Sequence, residues 1–260
     1  MGNQEVPADD LTIVMAVYGQ PLMLKKQLEA IRSWPGEVRN HVTVVIVDDC
    51  GNPPVAVGDI AAFADSLLHE AKLLRIEKDI PWNQMGARNL GMHVSRGHCL
   101  MIDPDMVFDG EIIMRMRQAA AKLRRGHVLK YGLKHVSNSK HPIDMSSPNT
   151  FLLHRDDFFA VGGYDEDFAG HKGWSDCCLQ DVLRAHYKIE ERPDLFANFH
   201  GTASIPDAMV MTLDRSVKHN RAIRLKKVAQ VKACGGWKKW VKLHKGPNLR
   251  FEWKQLYPAP

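Results

Sequence analysis

Several of the features that would place a chain quickly are missing here. Its five cysteines (Cys50, Cys99, Cys177, Cys178 and Cys234) are odd in number and form no C-x-x-C pair. That speaks against a disulfide framework or a zinc site and for a reducing, cytoplasmic setting. No apolar run approaches the roughly 20 residues of a membrane span. The opening "MGNQEVPADD" is polar and acidic, unlike a secretory leader. Glycine follows the initiator Met, but Val6 stands where N-myristoylation wants Ser or Thr. There is no internal repeat and no low-complexity segment. The 13 histidines are scattered rather than clustered as metal ligands.

What is present is globular. Over 260 residues, 45% are hydrophobic and 25% charged, which excludes disorder and suits one large domain, or a domain with a small appendage. Charge is unevenly spread. From Arg215 to Lys254, 13 Lys and Arg face one acid, Glu252, an excess of +12, while the rest of the chain carries −7. A neutral-to-acidic body with a basic tail points to an anionic partner for the tail.

Hydrophobic patterning predicts strands at "LTIVMAV" (11–17), "VTVVIVDD" (42–49), "KLLRIEK" (72–78) and "HCLMID" (98–103), separated by helices. Leu24, Leu28 and Ile31 have helical spacing after Pro21, and "DIAAFADSLLHEA" and "NQMGARNLGMHVSRG" read as further helices, the latter with Gly97 just past its end. Alternating apolar strands and amphipathic helices mean βαβ units, a mainly parallel sheet and helices on both faces. Farther on, "EIIMRMRQAAAKLRRG" reads as a helix, "HVLKYGL" as a strand, "TFLLHRDDFFAVGG" as strand, short helix and glycine turn, and "DCCLQDVLRAHY" as a helix. From about residue 206 the chain is expected to be basic and helical, broken at "CGGW". The expected division is a domain over 1–205, with a nucleotide-binding half (about 10–109) and an acceptor half (about 110–205), followed by an extension over 206–260.

In parallel sheets ligands bind beyond the carboxyl ends of the strands. Tyr18, Asp48, Asp49, Asp103 and Asp105 all fall at such ends. Asp103 and Asp105, in "MIDPDMVF", point the same way if extended geometry persists through Pro104. Paired carboxylates of this kind suit a hard divalent cation that takes its remaining ligands from phosphate. Read without context the pair is equally a polar turn. Asp49 in "VDDCGNPP" can accept hydrogen bonds from an imide N–H or a ribose, or simply cap a turn. Arg88, near a helix N-terminus in "NQMGARNLG", can pair with phosphate or make a salt bridge. Asp176, beside Trp174 and Ser175, can be a general base or a helix cap. These residues alone leave open sugar transfer, nucleotidyl transfer and a non-catalytic nucleotide-binding module.

Taken in order, "TIVMAVYG", "VVIVDDCG", "GARNLG", "LMIDPDMVF", "VGGYDEDFAG" and "GWSDCCLQDVLRAH" resemble the successive motifs of family 2-type GT-A glycosyltransferases over about residues 10–200. "GWSD" also resembles the Gly-Trp-Gly-x-Glu-Asp element of animal galactosyltransferases and chondroitin polymerases. The resemblance implies an α/β GT-A fold and an inverting, metal-dependent transfer from a nucleotide-sugar. Under it, the backbone around Val17 and Tyr18, with Asp49, would hold the uracil of a UDP-sugar, Asp48 would belong to the same donor site, Arg88 would contact the nucleotide and Asp103 would sit near the ribose. Asp105, with Asp103 and His200, would bind Mn²⁺ or Mg²⁺, and Asp176 would be the base. Ser175 replaces the family's Glu, and Gly19 its Asn, so the acceptor is the least transferable part.

Trp82, Trp174, Ser175, Lys238 and Lys239 are the candidate acceptor contacts, with Trp82 and the segment around His141 also candidates for donor selectivity. The basic tail, with Trp237 and Trp240, fits a polyanionic acceptor. One candidate is DNA carrying hydroxymethylated pyrimidines, as in viral DNA modification. The rival is a bacterial surface polysaccharide made at an anionic membrane face, with the cationic helix lying on the lipid. A solvated subdomain whose tryptophans are core is the plainer reading.

Overall fold

The computed structural model describes residues 10–65, 70–138, 141–243 and 249–259. The first half alternates as expected: β1 (Leu11–Val17), α1 (Pro21–Arg32), α2 (Gly36–Arg39), β2 (Val42–Asp48), α3 (Val57–Ala64), β3 (Ala71–Ile76), α4 (Gln84–Val94) and β4 (His98–Ile102). The helix expected through residue 71 ends at Ala64, and residues 66–69 lie outside the described residues. The second half continues with β5 (Met106–Val107), α5 (Gly110–Lys122), β6 (His127–His135), β7 (Phe151–His154), α6 (Arg155–Ala160), α7 (Ser175–His186), β8 (Lys188–Phe199), α8 (Lys218–Cys234), α9 (Trp237–Leu243) and β9 (Trp253–Tyr257).

All of these strands form one sheet in the order β5-β8-β6-β7-β4-β1-β2-β3-β9. The segment β3-β2-β1-β4 is parallel, and β7 and β9 pair antiparallel at its two sides. The chain runs outward from β1 through β2 to β3, then returns to place β4 on the other side of β1. That reversal opens a crevice outside the carboxyl ends of β1 and β4.

Buried β-branched and apolar runs make these strands central, and alternate residues feed opposite cores. Ile13, Met15 and Val17 join Leu28, Ile31, Phe63 and Ile113 on one side. Val14 joins Met85, Phe158 and Leu179 on the other. On that second side Gly91 of α4 sits so close to the sheet that a Cβ would lie 2.4 Å from Val14 Cγ1. Glycine there lets the helix approach the strands, bringing the α4 N-terminus beside the crevice.

Three strands differ from the expectation. β8 is 12 residues long and carries Pro193 and five charges, a composition that hides a strand. It is tolerated because the pairing with β6 jumps from Arg192 to Phe196, leaving Pro193 in a bulge. The two-residue β5 is too short to have a periodic signal. β9 lies within the stretch expected to be a helical extension, which therefore closes the sheet at β3 rather than standing apart. Residues 206–217, also expected to be helical, form an irregular strap before α8. No helix among the described residues is long and apolar enough to cross a membrane.

Candidate active site

A cleft of about 570 Å³ opens at the crevice. Val17 and Tyr18 at the end of β1, Asp49 after β2, Trp82 and Gln84 before and in α4, Asp103 and Asp105 after β4, Lys172, and Ala208, Met209, Val210, Leu213 and Arg215 of the strap line it. Elements far apart in sequence therefore share one cavity, and the strap forms part of its wall.

The two aspartates of "VDDC" divide their work. Asp48 is fully buried and its carboxylate is committed: Oδ1 accepts from Gly51 N at 2.8 Å, Oδ2 from Val55 N at 3.0 Å, and Arg75 pairs with it. It holds the turn after β2 and does not line the cleft. Asp49 does line the cleft. Burial drives its carboxyl up to about 7, opposed by the hydrogen bond that Asn83 Nδ2 donates at 3.0 Å. Tyr18 donates to Asp79 Oδ1 at 3.1 Å.

Arg88 is 2% exposed and sits behind the rim rather than in it. Its Nη2 donates to Asp103 Oδ1, its Nη1 to Asp176 Oδ1 at 2.5 Å and to the Tyr164 hydroxyl at 2.9 Å, with its guanidinium 5.1 Å from the Tyr164 ring centroid. The neighbouring carboxylates overcome the cost of burying this charge and hold it well above the ordinary arginine range. Arg88, the expected nucleotide contact, ties the Asp-x-Asp loop to Asp176, a residue 73 positions after Asp103 in sequence. Asp176 does not line the cleft itself. It is reached through this arginine.

Asp103 has both oxygens engaged: Oδ1 also accepts from Gln84 Nε2 at 2.7 Å, and Oδ2 from Asn149 Nδ2. Asp105 is different. Its Oδ1 is buried without a hydrogen-bond partner, and burial followed by the charge of Asp103 raises its pKa. An orphaned, like-charged carboxylate oxygen in a cleft fits a cation. Among the described residues no three His, Cys, Asp or Glu side chains gather as a metal cage. His200 meets Asp105 only through the backbone, its N–H donating to the Asp105 carbonyl at 2.8 Å, while its ring lies 3.4 Å from Ser204 Oγ. A cation here would rest on Asp105 and Asp103 and take its other ligands from a bound phosphate and water.

Of the proposed acceptor contacts, only Trp82 lines the cleft. Its indole Nε1 donates to the Asp214 carbonyl at 2.6 Å. Trp82 (φ 53°) and Trp174 (φ 70°) both hold left-handed backbone, a strained state for bulky residues that is common at functional sites. Trp174 stacks under Arg224, and Ser175 is buried at the start of α7. Lys238 and Lys239 are exposed on α9, outside the cleft. His141 lies in a separate hollow with His135 and Asp144.

Sequence reasoning missed Asn83, Gln84, Asn149 and Tyr164, which hold Asp49, Asp103 and Arg88 in place. Asn83 and Gln84 open the segment "NQMGARNLG", where an uncharged amide gives no signal of its own; Asn149 lies in an aperiodic loop with no local signal. It also missed Asp207, whose carboxylate caps α1 by accepting from Leu22 N at 2.7 Å and Met23 N at 2.9 Å.

No protein-family model and no curated protein matches the sequence. Solved structures do match in shape. Residues 1–349 of TarS from S. aureus superpose with a TM-score of 0.57 at 13% identity, covering 81% of this chain and 68% of that one. The same protein in complex with UDP-GlcNAc gives 0.56 at 15%, covering 77% and 62%. A mannosyltransferase from Pyrobaculum calidifontis in complex with GDP-Man and Mn²⁺ gives 0.53 at 15%, covering 72% and 56%. The chain has the GT-A fold. At these identities the likeness concerns the fold alone. Within that GT-A fold, the cleft and its acidic rim stand at the switch point between β1 and β4.

Proposed function

We propose that this chain is a glycosyltransferase that moves a sugar from a UDP-sugar to a hydroxyl acceptor with inversion, in the cytoplasm, with Mn²⁺ or Mg²⁺ as cofactor. The observation that carries the reading is the buried, unpartnered Oδ1 of Asp105 beside Asp103, in a cleft at the switch point of a GT-A sheet. The solved neighbours support it in kind, since TarS was captured with UDP-GlcNAc and the mannosyltransferase with GDP-Man and Mn²⁺.

In this reading Asp49 and the backbone at Val17 and Tyr18 receive the uracil. Asp103, held by Gln84, Arg88 and Asn149, faces the ribose, and Arg88 acts on the nucleotide through it. A cation held by Asp105 and Asp103 would neutralise charge on the departing diphosphate. Asp176 takes the proton of the acceptor hydroxyl as that oxygen bonds to the anomeric carbon and the bond to the diphosphate breaks. Arg88 fixes the Asp176 carboxylate for that task.

For the acceptor we propose a polyanion, with hydroxymethylated pyrimidines in DNA as the specific candidate. α8 and α9 present Lys218, Arg221, Lys226, Lys232, Lys238, Lys239 and Lys242 to solvent with no acid among them. A second reading, surface polysaccharide synthesis against an anionic membrane, is favoured by a different observation. Trp240 is buried with Trp237 packed on it, while Leu225 and Leu243 are 63% and 70% exposed. That leaves apolar side chains, not stacking aromatics, on the basic face.

Incubation with UDP-sugars, Mn²⁺ and each acceptor class tests both levels. UDP release supports sugar transfer. Pyrophosphate release would make the chain a nucleotidyltransferase, and neither product would make it a nucleotide-binding module. Salt-steep binding to duplex DNA without vesicle binding supports the DNA acceptor; the converse supports the membrane reading.

A further inference from the structure

The same cleft contains the electrostatic opposite of its acidic rim. Lys172, on the loop before α7, lies 5.4 Å from the Trp82 ring centroid, and the Arg215 guanidinium from the strap lies 5.8 Å from it. Three segments meet at one indole, and they are tied together: Gly170 N donates to the Pro81 carbonyl at 2.8 Å, and the Trp82 indole donates to the Asp214 carbonyl at 2.6 Å.

Neither cation is neutralised. Among the described residues no carboxylate lies in ion-pair range of Lys172 or Arg215. Arg215 Nη1 donates to the Val210 carbonyl at 2.7 Å and touches the Met211 sulfur. Burial, followed by the charge of Arg215, lowers the Lys172 pKa. The ring face attracts each cation, worth about 0.5–2 kcal/mol, but does nothing to relieve repulsion between the two. Two half-buried like charges converging in a cavity are stabilised by an anion between them, just as the carboxylates are by a cation.

We propose that Lys172 and Arg215, braced on Trp82, form a subsite for a phosphate group. The inference rests on the donor-site reading above and adds to it the residues that would grip phosphate. Two sources supply that chemistry: the diphosphate of the nucleotide, or a phosphate carried by the acceptor. Because Arg215 belongs to the strap that Asp207 anchors to α1, an occupied subsite would also hold the strap over the cleft.

The test compares wild type with the Lys172→Gln/Arg215→Gln double variant by calorimetry in EDTA, so that no metal contributes. Uridine, UDP, and then glycerol 1-phosphate added to UDP-saturated protein are the probes. Uridine affinity unchanged in the variant shows that its fold and base pocket are intact. If the donor diphosphate is the source, UDP binds wild type at least about tenfold tighter than uridine, and the variant loses that margin. If the acceptor is the source, the margin survives and glycerol 1-phosphate binds wild type but not the variant. Arg215→Lys, which keeps the charge, should recover part of whichever effect is seen. Equal binding of every probe to wild type and variant overturns the subsite. Failure of wild type to bind either uridine or UDP would sink the donor reading instead, and glycerol 1-phosphate added directly would still decide the subsite.

Discussion

The cleft has two kinds of wall, and they are built differently. Asp49, Asp103 and Asp105 sit one to three residues beyond the ends of β2 and β4, so the same buried strands that make the core also aim the carboxylates. Trp82, Lys172 and Arg215 come from three loops separated by 90 and 43 residues, and each reaches the cavity only because other segments pull it there. The acidic rim is rigid and prepaid by the sheet. The cationic wall depends on the strap. It follows that substitutions at Asp103 and Asp105 should damage turnover, while wall or strap substitutions, like loss of the Asp49 carboxylate that meets the base, should damage affinity.

The strongest way to break this contrast is Asp105→Asn. If its orphaned oxygen is the cation anchor, transfer should fall by about 10³-fold or more, because positioning and charge neutralisation fail together. Initial rates across a Mn²⁺ titration check this, and near-normal turnover would place the cation elsewhere. Next is Asp176→Asn, for which loss of general-base help predicts a decrease of about 10²–10⁴-fold in kcat with donor Kd unchanged. Single-turnover kinetics with a separate donor titration distinguish the two quantities.

Arg88→Lys sharpens the comparison from behind the rim. Lysine keeps a charge but cannot bond Asp103, Asp176 and Tyr164 together. Losing a hydrogen bond to a charged group costs about 1.5–3 kcal/mol, so the melting temperature should drop, and kcat should fall more than donor affinity does. A variant as stable as wild type would show that the bridge is dispensable.

A smaller effect is expected from pH. Asp49 has a raised pKa near 7, so its proton-accepting carboxylate is populated above that value and lost below it. Uridine affinity should therefore fall as pH drops from 8 to 6, by up to about tenfold per unit below the pKa, and Asp49→Asn should remove the dependence. The stability consequence runs the other way: the folded state binds this proton more tightly than the unfolded chain, so the group's contribution to stability diminishes as pH rises from about 4 to 7. The smallest change is Asp207→Ala. Losing a helix cap costs about 0.5–2 kcal/mol, a shift of a few degrees in thermal unfolding, with a modest rise in UDP Kd as the strap loosens.

The rim was legible because it is local. Tyr18, Asp49, Asp103 and Asp105 follow apolar runs whose periodicity marks them as buried strands, and a carboxylate at a strand end has a direction that can be read without coordinates. Asp48 shows the limit of that reading: adjacent carboxylates point to different places, and only the loop it captures reveals which one is structural. Arg88 was visible as a charge near a helix start, but its partners lie 15 and 88 residues away. The strand β8 was hidden by Pro193 and its charges, and β9 by the basic stretch around it.

By itself, then, the amino-acid sequence determined the parallel half of the sheet and the acidic residues at the carboxyl ends of its strands, because burial and period act over a few residues. Only the tertiary structure decided which aspartate faces the cleft, that Arg88 joins Asp103 to Asp176, and that a C-terminal strap supplies Arg215. Those arrangements arise from single contacts between distant loops, and nothing periodic in a chain announces where two of its loops will meet.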